Sequence, residues 1–523
     1  MKYRIFSEND WVYPDSDINE GCQCGTAKLY APRRSDVCFQ ILTDILLDGT
    51  ESFSVSSTLG QCDVEVYQLL AATCKENSGP KTYTTLKYED VSSFVTRKAP
   101  FDVYEVTKPL DKGELEEGRA AFYIRLNVPS DAVPGIHNGD ITIKAGTNDI
   151  TVPVELKIYN TTIPALKDAN FHMINWLFYE RLEDQYNTER RTEKYESVLR
   201  ENLRNQLDMR NDYIMIPAGE PIRDESGKVV DFDFSFVEYV GNIALEEGFK
   251  YIMGGFVARF IKWDDPDNAL LWDKDVGCTT IEGYRQLKIY FTRAWECVTK
   301  NNWQNNYMQC LVDEPQFPNS LAYRALSGIC RKNMPGVIIN DPVETTDIAG
   351  AVDVWVVKQA VFEKHLENFQ KLQSFGEEMW IYTCGFPAGS MMNRIVDLPL
   401  SASRLPMWMC CKYGCPGFLH WGYNAHKGES ERADVCSAVS ATTHYPPGNA
   451  HVVYTGDGRP WYSVRGHLQR AGSYDAELLI RLGKKDHAKA LELIEKCCRT
   501  FDDYEFSPEV IDKTRVEILE ILG

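Results

Sequence analysis

Two adjacent carboxylates, Asp313 and Glu314, are the residues of this sequence best suited by type and spacing to do chemistry. They close an apolar run, Tyr307–Val312, and Pro315 follows them. Neighbouring carboxylates that are partly shielded from water repel each other, which raises the pKa of one and suits it to act as a general acid. Cleavage of a glycosidic bond needs such an acid and a second group that stabilises the developing positive charge. The alternative is that the pair caps a helix that begins near Asn319.

Six further side chains follow or end other apolar runs, and together they are typical of a sugar-binding pocket. Aromatic rings provide apolar faces, while hydroxyl and amide groups provide hydrogen-bond partners that fix a ligand's orientation. Taken singly, each residue is better explained by core packing or capping, and only their shared position at strand ends favours a site. His172 and His420 are interpreted as packed histidines. The candidate substrate-binding residues are Trp176, Asn340, Tyr382, Trp421, Tyr423 and Asn424.

The elements that must position these side chains are eight apolar strands, which alternate with amphipathic helices from about residue 168 onward. Repeated units of this kind imply parallel strands, and eight of them imply an α/β fold, a closed (β/α)8 barrel of the TIM type. The carboxyl ends of barrel strands share one face, so the candidate residues are expected to meet there. The predicted strands are Phe171–Asn175, Tyr213–Pro217, Tyr251–Gly255, Tyr307–Val312, Gly336–Asn340, Val352–Val356, Met379–Cys384 and Gly417–Asn424.

Residues 1–165 predict a different architecture, an antiparallel β-sandwich. Short runs with the alternation of half-buried strands are separated by turn residues, with Pro134-Gly135 and Asn138-Gly139 as predicted turns. We therefore predict a sandwich over residues 1–165, a catalytic barrel over 166–450 and a C-terminal helical segment over 451–523 that packs on the barrel. The predicted sandwich strands are Val37–Leu42, Val64–Leu69, Phe122–Asn127, Asp140–Lys144 and Asp149–Ile158.

Composition excludes several classes of protein. The formal net charge is −20 and no run of Lys or Arg is present, which argues against a nucleic-acid partner. No stretch is long and apolar enough to insert into a membrane, and the N-terminus lacks the apolar segment of a signal peptide. The 16 cysteines are scattered, including Cys22 and Cys24, and fit reduced thiols in a cytoplasmic protein. No phosphate loop, serine-hydrolase motif or zinc spacing is present, so we expect neither a cofactor nor a metal. The sequence does not define the oligomeric state.

The motif Val-Asp313-Glu314-Pro resembles the catalytic motif of family 123 glycoside hydrolases, and three further stretches agree in order and spacing. Residues 127–139 are similar to a turn segment of that family's sandwich, residues 417–424 to its last barrel strand, and residues 463–479 to the helix after its barrel. Enzymes of this family are β-N-acetylgalactosaminidases with an N-terminal β-sandwich and a C-terminal barrel. The resemblance covers most of the chain and implies the same fold and activity here.

Three positions depart from the family pattern. His467 stands where the pattern has Glu, Ala476 where it has Tyr, and His137 where it usually has Tyr. None of the three belongs to the Asp-Glu pair. We expect His467 to lie near the site, where the change would bear on the identity of the sugar and not on the class of reaction.

The resemblance implies exo-acting removal of β-linked N-acetylgalactosamine from a glycan by a substrate-assisted retaining mechanism. Glu314 would protonate the glycosidic oxygen, and Asp313 would orient the substrate's acetamido group as its carbonyl oxygen attacks the anomeric carbon. Water would then open the oxazoline-like intermediate with Glu314 as base. Two alternatives stay open: a barrel glycosidase that acts on another sugar, and a non-catalytic carbohydrate-binding protein.

Overall fold

The computed structural model describes residues 2–18, 25–79, 94–262, 264–426, 431–440 and 443–523, so Cys22 and Cys24 lie outside the described residues. Nine strands precede the barrel and form two facing sheets, as expected for a sandwich. Each of the five predicted strands lies within an observed one. The strands are β1 (Tyr3–Ser7), β2 (Ala27–Arg33), β3 (Ser35–Leu47), β4 (Phe53–Ser57), β5 (Asp63–Cys74), β6 (Phe101–Pro109), β7 (Gly118–Val128), β8 (Gly135–Ala145) and β9 (Asn148–Thr162).

The sandwich departs from prediction in two details. Asn138-Gly139 was expected to be a turn, but both residues lie within β8, and β8 turns into β9 at residues 146–147. Gly139 is instead required because the backbone of Leu59 passes close to it. A Cβ at Gly139 would lie 2.7 Å from that backbone. In addition, β2 pairs with β9 in parallel, so the sandwich is antiparallel except for that pair.

Thirteen strands follow between residues 172 and 420, and eight of them, β10, β11, β14 and β18–β22, form one parallel sheet in barrel order. Each of the eight overlaps a predicted strand. The (β/α)8 prediction is thereby confirmed. The strands are β10 (His172–Asn175), β11 (Tyr213–Met215), β12 (Glu220–Arg223), β13 (Val229–Asp233), β14 (Tyr251–Gly254), β15 (Ala258–Phe260), β16 (Asn268–Leu270), β17 (Asp273–Gly277), β18 (Tyr307–Gln309), β19 (Ile338–Val343), β20 (Val354–Lys358), β21 (Glu378–Thr383) and β22 (Gly417–His420).

Side chains close the barrel where the first and second strands meet. Asp212 accepts hydrogen bonds from the backbone N–H of Met173 at 3.1 Å and lies 2.6 Å from Nδ1 of His172. Asn175 donates to Asn211 at 2.9 Å. The two strands are thus joined by polar side chains at this seam, which accounts for the burial of Asn175, Asn211 and Asp212.

Helices surround the barrel and complete the C-terminal part. The alternation of strand and helix follows the predicted order. The helices are α1 (Tyr179–Tyr186), α2 (Glu193–Asp208), α3 (Ser235–Glu247), α4 (Ile281–Lys300), α5 (Ser320–Asn333), α6 (Gln359–Lys364), α7 (Leu366–Ser374), α8 (Pro406–Lys412), α9 (Val464–Lys485), α10 (His487–Cys497) and α11 (Pro508–Leu522), with short 3-10 turns at Leu166–Asp168, Phe317–Asn319 and Leu400–Ser403.

The C-terminal segment does not begin with a helix, in contrast to the prediction for residues 451–523. Two short strands, β25 (Val453–Thr455) and β26 (Pro460–Ser463), lie in that segment before α9, and two more precede it, β23 (Ala438–Ser440) and β24 (Thr443–His444). Strand β26 pairs with β6, so β25 and β26 extend the larger sheet of the sandwich. Helix α9 then runs buried between sandwich and barrel, and the predicted helical character is observed from residue 464 onward.

Candidate active site

A cavity of about 800 Å³ opens at the carboxyl ends of the barrel strands. Its acidic and basic lining residues are Asp313 and Glu314 after β18, Glu344 after β19, and Lys358 at the end of β20. Aromatic side chains form much of the remaining wall. They are Trp176, Phe178, Phe256, Tyr382, Phe386, Trp421 and Tyr445.

The surroundings of Asp313 alter the pKa of its carboxyl group. Burial and, to a smaller extent, the charge of Glu314 raise its pKa to about 7, against the opposing effect of the Lys358 ammonium group. A carboxyl group with a pKa near neutrality can hold a proton at the pH of a cell and can release it to a neighbour. The predicted consequence of placing two carboxylates side by side is therefore present at this strand end.

Glu314 is held in place by its backbone and by two partners. Its φ angle of 52° lies in the left-handed region, which non-glycine residues rarely adopt. Its N–H donates to the carbonyl of Pro342 at 3.1 Å. The hydroxyl of Tyr382 donates to its carboxylate, and Nζ of Lys358 lies 2.9 Å from the same oxygen. Backbone strain of this kind persists where surrounding contacts enforce it, as they do here.

Helix capping does not account for the acid pair. The short 3-10 turn before α5 is capped by Gln316 and Asn319, whose side chains each accept from the other's backbone N–H. Gln316 also donates from Nε2 to the backbone carbonyl of Glu314 at 3.1 Å and to the Glu344 carboxylate at 2.9 Å. Asp313 and Glu314 are therefore free of a capping role and face the cavity.

The sequence analysis missed Glu344 and Lys358, although both are charged residues at the end of an apolar run, as Asp313 and Glu314 are. Lys358 ends the apolar run Val354–Val357, and Glu344 directly follows β19. Lys358 is only 4% exposed and forms ion pairs with both Glu314 and Glu344. A charged side chain at the carboxyl end of a barrel strand was the available signal.

Three of the six predicted substrate-binding residues line the cavity. Trp176 packs edge-on against Phe256, with ring centroids 5.4 Å apart. The indole of Trp421 donates to Asn449 at 3.0 Å, and its ring lies 4.8 Å from that of Tyr445. Together with Tyr382 these side chains provide the aromatic wall that the sequence predicted.

The other three predicted residues do not line the cavity. Asn340 was predicted to end its strand, but β19 continues to Val343, and alternation with Ile339 turns Asn340 into the closed barrel interior below the cavity. Tyr423 points the other way, and its hydroxyl donates to the Asn205 side chain on α2 at 3.0 Å.

Asn424 does not line the cavity, but it holds the cavity wall in place through hydrogen bonds to Phe178. Its Oδ1 accepts from the N–H of Phe178 at 2.8 Å, and its Nδ2 donates to the Phe178 carbonyl at 3.2 Å and to the side chain of Gln185 at 3.3 Å. It clamps the loop after β10, which supplies Phe178 and Trp176 to the cavity wall.

The histidines are structural. His172 stacks on Trp380, and His420 accepts a hydrogen bond from the N–H of Gly422, so both are packed as predicted. The expectation that His467 lies near the site is wrong. It stacks between Tyr123 of the sandwich and Tyr462 of β26, where burial lowers its pKa well below the usual range.

Within the described part of the chain, no three His, Cys, Asp or Glu side chains are grouped as ligands for a metal ion. Among the described helices, none has the length and apolar character needed to cross a bilayer.

A parallel (β/α)8 barrel with paired carboxylates in an aromatic-lined cavity at its strand ends has the fold and site of a barrel glycoside hydrolase. The family model described as "Glycoside hydrolase 123, catalytic domain" matches residues 166–482. The chain therefore belongs to glycoside hydrolase family 123 and is a glycosidase with a glycan substrate.

A solved structure of a family 123 enzyme agrees with this fold. A family 123 glycoside hydrolase from Clostridium perfringens is 14% identical, with a TM-score of 0.75, and the match covers 99% of this chain and 97% of that chain. An endo-β-1,4-mannanase from Thermotoga petrophila is 12% identical with a TM-score of 0.38, over 60% of this chain and 78% of that one. No curated protein sequence matches.

Proposed function

We propose that this enzyme is an exo-acting β-N-acetylgalactosaminidase that uses the substrate's acetamido group as its nucleophile. The single observation that carries the proposal is the position of Asp313 and Glu314, neighbours at one strand end that both line the cavity. Retaining glycosidases with a protein nucleophile use two carboxyl groups about 5 Å apart on opposite sides of the anomeric carbon. Two sequence neighbours cannot readily flank a sugar in that way, whereas an acetamide that attacks from within the substrate needs only one acid and one orienting group.

The charges in the unliganded site support a division of roles between the pair. Lys358 and Tyr382 contact the Glu314 carboxylate, while the pKa of Asp313 is raised to about 7, chiefly by burial, so we assign the proton of the pair to Asp313 before substrate binds. An acetamide N–H that donates to Asp313 favours its carboxylate form. The proton then passes to Glu314, which becomes the acid.

The chemical steps follow from that assignment. The acetamido oxygen bonds to the anomeric carbon as the bond to the leaving oxygen breaks, and the Glu314 proton goes to that oxygen. Asp313 stabilises the positive charge on the cyclised acetamide. Water, deprotonated by Glu314, then adds to the anomeric carbon as the bond from that carbon to the acetamido oxygen breaks, which reopens the acetamide and returns a proton to Glu314. The related enzyme from Clostridium perfringens is described as hydrolysing glycolipid glycans, and we propose the same class of glycan here.

Hydrolysis of a panel of 4-nitrophenyl β-glycosides tests the proposal, with N-acetylgalactosamine, N-acetylglucosamine, galactose and glucose as the sugars. We expect kcat/KM for the N-acetylgalactosaminide to exceed that for the galactoside by about 10²-fold or more, because the galactoside lacks the built-in nucleophile. A thiazoline analogue of N-acetylgalactosamine should inhibit competitively as a mimic of the cyclised intermediate. Equal rates on both sugars without thiazoline inhibition would overturn the proposal.

A second candidate is a retaining glycosidase for another sugar with a protein nucleophile, because Glu344 lies across Lys358 from Glu314. A 2-deoxy-2-fluoro glycoside would then trap a covalent adduct on Glu344, detectable by mass spectrometry of the digested protein. Sugar binding without turnover of any glycoside would instead favour a non-catalytic carbohydrate-binding protein.

A further inference from the structure

Lys358 lies between two glutamates at the base of the cavity. Its ammonium group forms ion pairs with Glu314, at 2.9 Å, and with Glu344. The side chain is 5% exposed, and each glutamate side chain is 16% exposed. Glu344 is fixed on its other side by the amide of Gln316 at 2.9 Å.

A nearly buried ammonium group needs a counter-charge in every step of a reaction. Under the proposed function, Glu314 must be protonated to act as an acid, and in that state it no longer neutralises Lys358. Glu344 remains beside the lysine and can neutralise it throughout. Without Glu344, the full charge of Lys358 would act on the acid pair and would favour its doubly ionised, inactive form.

We propose that Glu344 is the permanent counter-ion of Lys358, and that the two together set the pH at which Asp313 and Glu314 lose their shared proton. Glu344 is thus a positioning residue that acts through Lys358 and does not touch the reacting atoms. This inference rests on the proposed function for the identity of the acid.

Four other titratable groups surround the pair, and none of them is altered in the variants compared below. Asp341 of β19 acts electrostatically on Asp313; it accepts from the N–H of Leu311 and the hydroxyl of Tyr323, and burial raises its pKa well above the usual range. Burial likewise raises the pKa of the Cys310 thiol well above its usual range, so the thiol stays neutral.

Tyr382 faces Glu314, and burial raises the pKa of its hydroxyl well above the usual range, so the hydroxyl stays neutral. Burial raises the pKa of the Cys384 thiol to about 12, so it is neutral as well. Among the described residues that line the cavity, Lys358 and Glu344 are then the charged groups that face the pair.

Charge counting gives opposite predictions for the two partners. With both acids ionised, Asp313, Glu314, Glu344 and Lys358 carry a total charge of −2. Glu344→Gln makes this −1, which weakens proton binding and should move the high-pH loss of kcat/KM to lower pH by about one unit. Lys358→Met makes it −3 and should move that loss to higher pH by a similar amount. The double variant returns the charge to −2 and should restore the wild-type position.

The pH dependence of kcat/KM for these variants is measured on whichever glycoside the wild-type enzyme hydrolyses, so the test does not depend on the sugar. Glu225→Gln, a matched loss of charge in the exposed turn between β12 and β13, should leave the profile unchanged. Opposite shifts that cancel in the double variant support the inference. pH profiles of kcat/KM that do not move in the variants overturn the inference. A rise in KM alone also overturns it, because that is the result expected if Glu344 only binds a sugar hydroxyl.

A second readout separates failure of this inference from failure of the proposed function. Titration of the carboxyl groups by 13C NMR in the unliganded full-length protein, with Asp313→Asn as the assignment reference, follows the shared proton without turnover. The glycoside panel can refute the proposed specificity for N-acetylgalactosamine. If Glu344→Gln still lowers the titration midpoint by about one pH unit in that case, the role of Glu344 as counter-ion is supported. An unchanged midpoint refutes it, whatever the substrate is.

Discussion

At the residue scale, the site depends on one strained position. Glu314 adopts a left-handed backbone conformation, and its carboxylate is fixed by Lys358 and Tyr382. The strain turns this residue out of the strand, so that two consecutive side chains can both reach the cavity instead of alternating across the sheet. The neighbouring carboxylates are thereby free to perform different tasks.

The two tasks predict different kinetics for the two amide variants. Under the proposed function, Glu314→Gln removes the proton donor, so we expect kcat/KM to fall by about 10²–10⁴-fold for poor leaving groups and by much less for activated aryl groups that leave without a proton. Under the same proposal, Asp313→Asn weakens the orientation and charge stabilisation of the substrate's acetamide, so it should reduce kcat/KM for good and poor leaving groups alike. A Brønsted plot of kcat/KM against leaving-group pKa for each variant makes this comparison.

Parallel Brønsted plots for the two variants would contradict this assignment of roles. Tyr382→Phe is a useful companion, because it removes only the hydroxyl that donates to Glu314. It should give a smaller loss with the same leaving-group dependence as Glu314→Gln.

At the scale of elements, the cavity wall depends on contacts made behind it. Asn424 joins the end of the barrel to the loop after β10 by hydrogen bonds to both backbone groups of Phe178. Asn424→Ala leaves those groups without their partner, which should lower the free energy of unfolding by about 1–3 kcal/mol and raise KM as the wall loosens. Urea denaturation and steady-state kinetics measure the two effects.

Tyr423→Phe is the matched control for that variant. Its hydroxyl bonds to α2 on the outside of the barrel, at Asn205, so its loss should lower stability by about 1 kcal/mol and leave KM unchanged. A rise in KM for Tyr423→Phe, or an unchanged KM for Asn424→Ala, would contradict the role of Asn424 in holding the loop after β10.

Strand-end reasoning predicted the barrel and placed Asp313 and Glu314 at the carboxyl end of a barrel strand, where they line the cavity. It failed where a strand boundary was misjudged. The fifth strand was ended at Asn340, before the Asp-Pro pair, but it continues through Pro342 to Val343. That shift of three residues puts Asn340 below the cavity and brings Glu344 to its edge. Hydrophobic periodicity does not reveal such a shift, because a buried parallel strand is apolar on both faces.

At the scale of the whole molecule, Asp475 on the buried helix α9 joins distant parts of the chain. It accepts from Arg404 of the barrel at 2.6 Å and from Arg515 of α11 at 2.9 Å, and Arg404 also pairs with Glu8 of the sandwich. Although burial raises the pKa of Asp475, the two arginines outweigh it and hold the pKa below its ordinary value. The ion pairs therefore stabilise the folded chain.

Asp475→Asn leaves two buried guanidinium groups undercompensated and should lower the free energy of unfolding by about 3–5 kcal/mol at pH 7. Because the pKa of Asp475 is depressed by folding, its contribution is present above the unfolded pKa and is lost as the pH falls through the folded pKa. The difference from wild type should therefore shrink below about pH 4. Chemical denaturation at several pH values measures it.

Glu509→Gln on α11 removes an exposed ion pair with Lys513 and should leave the free energy of unfolding nearly unchanged, because exposed ion pairs contribute little to stability. A loss for Asp475→Asn no larger than this would contradict the assignment. This network was not predictable from the sequence, because its members are separated by up to several hundred residues and carry no local pattern.

The pairing of β26 with β6 has a consequence for how the protein is made. These partners are separated by roughly 350 residues, which a ribosome needs about 20–70 s to add at ordinary rates of synthesis. During that time the edge of the sandwich sheet at β6 emerges without its final neighbour, and an uncovered strand edge is prone to pair with other chains. The nascent sandwich therefore spends most of translation incomplete, and its last strands arrive only after the entire barrel has been synthesised.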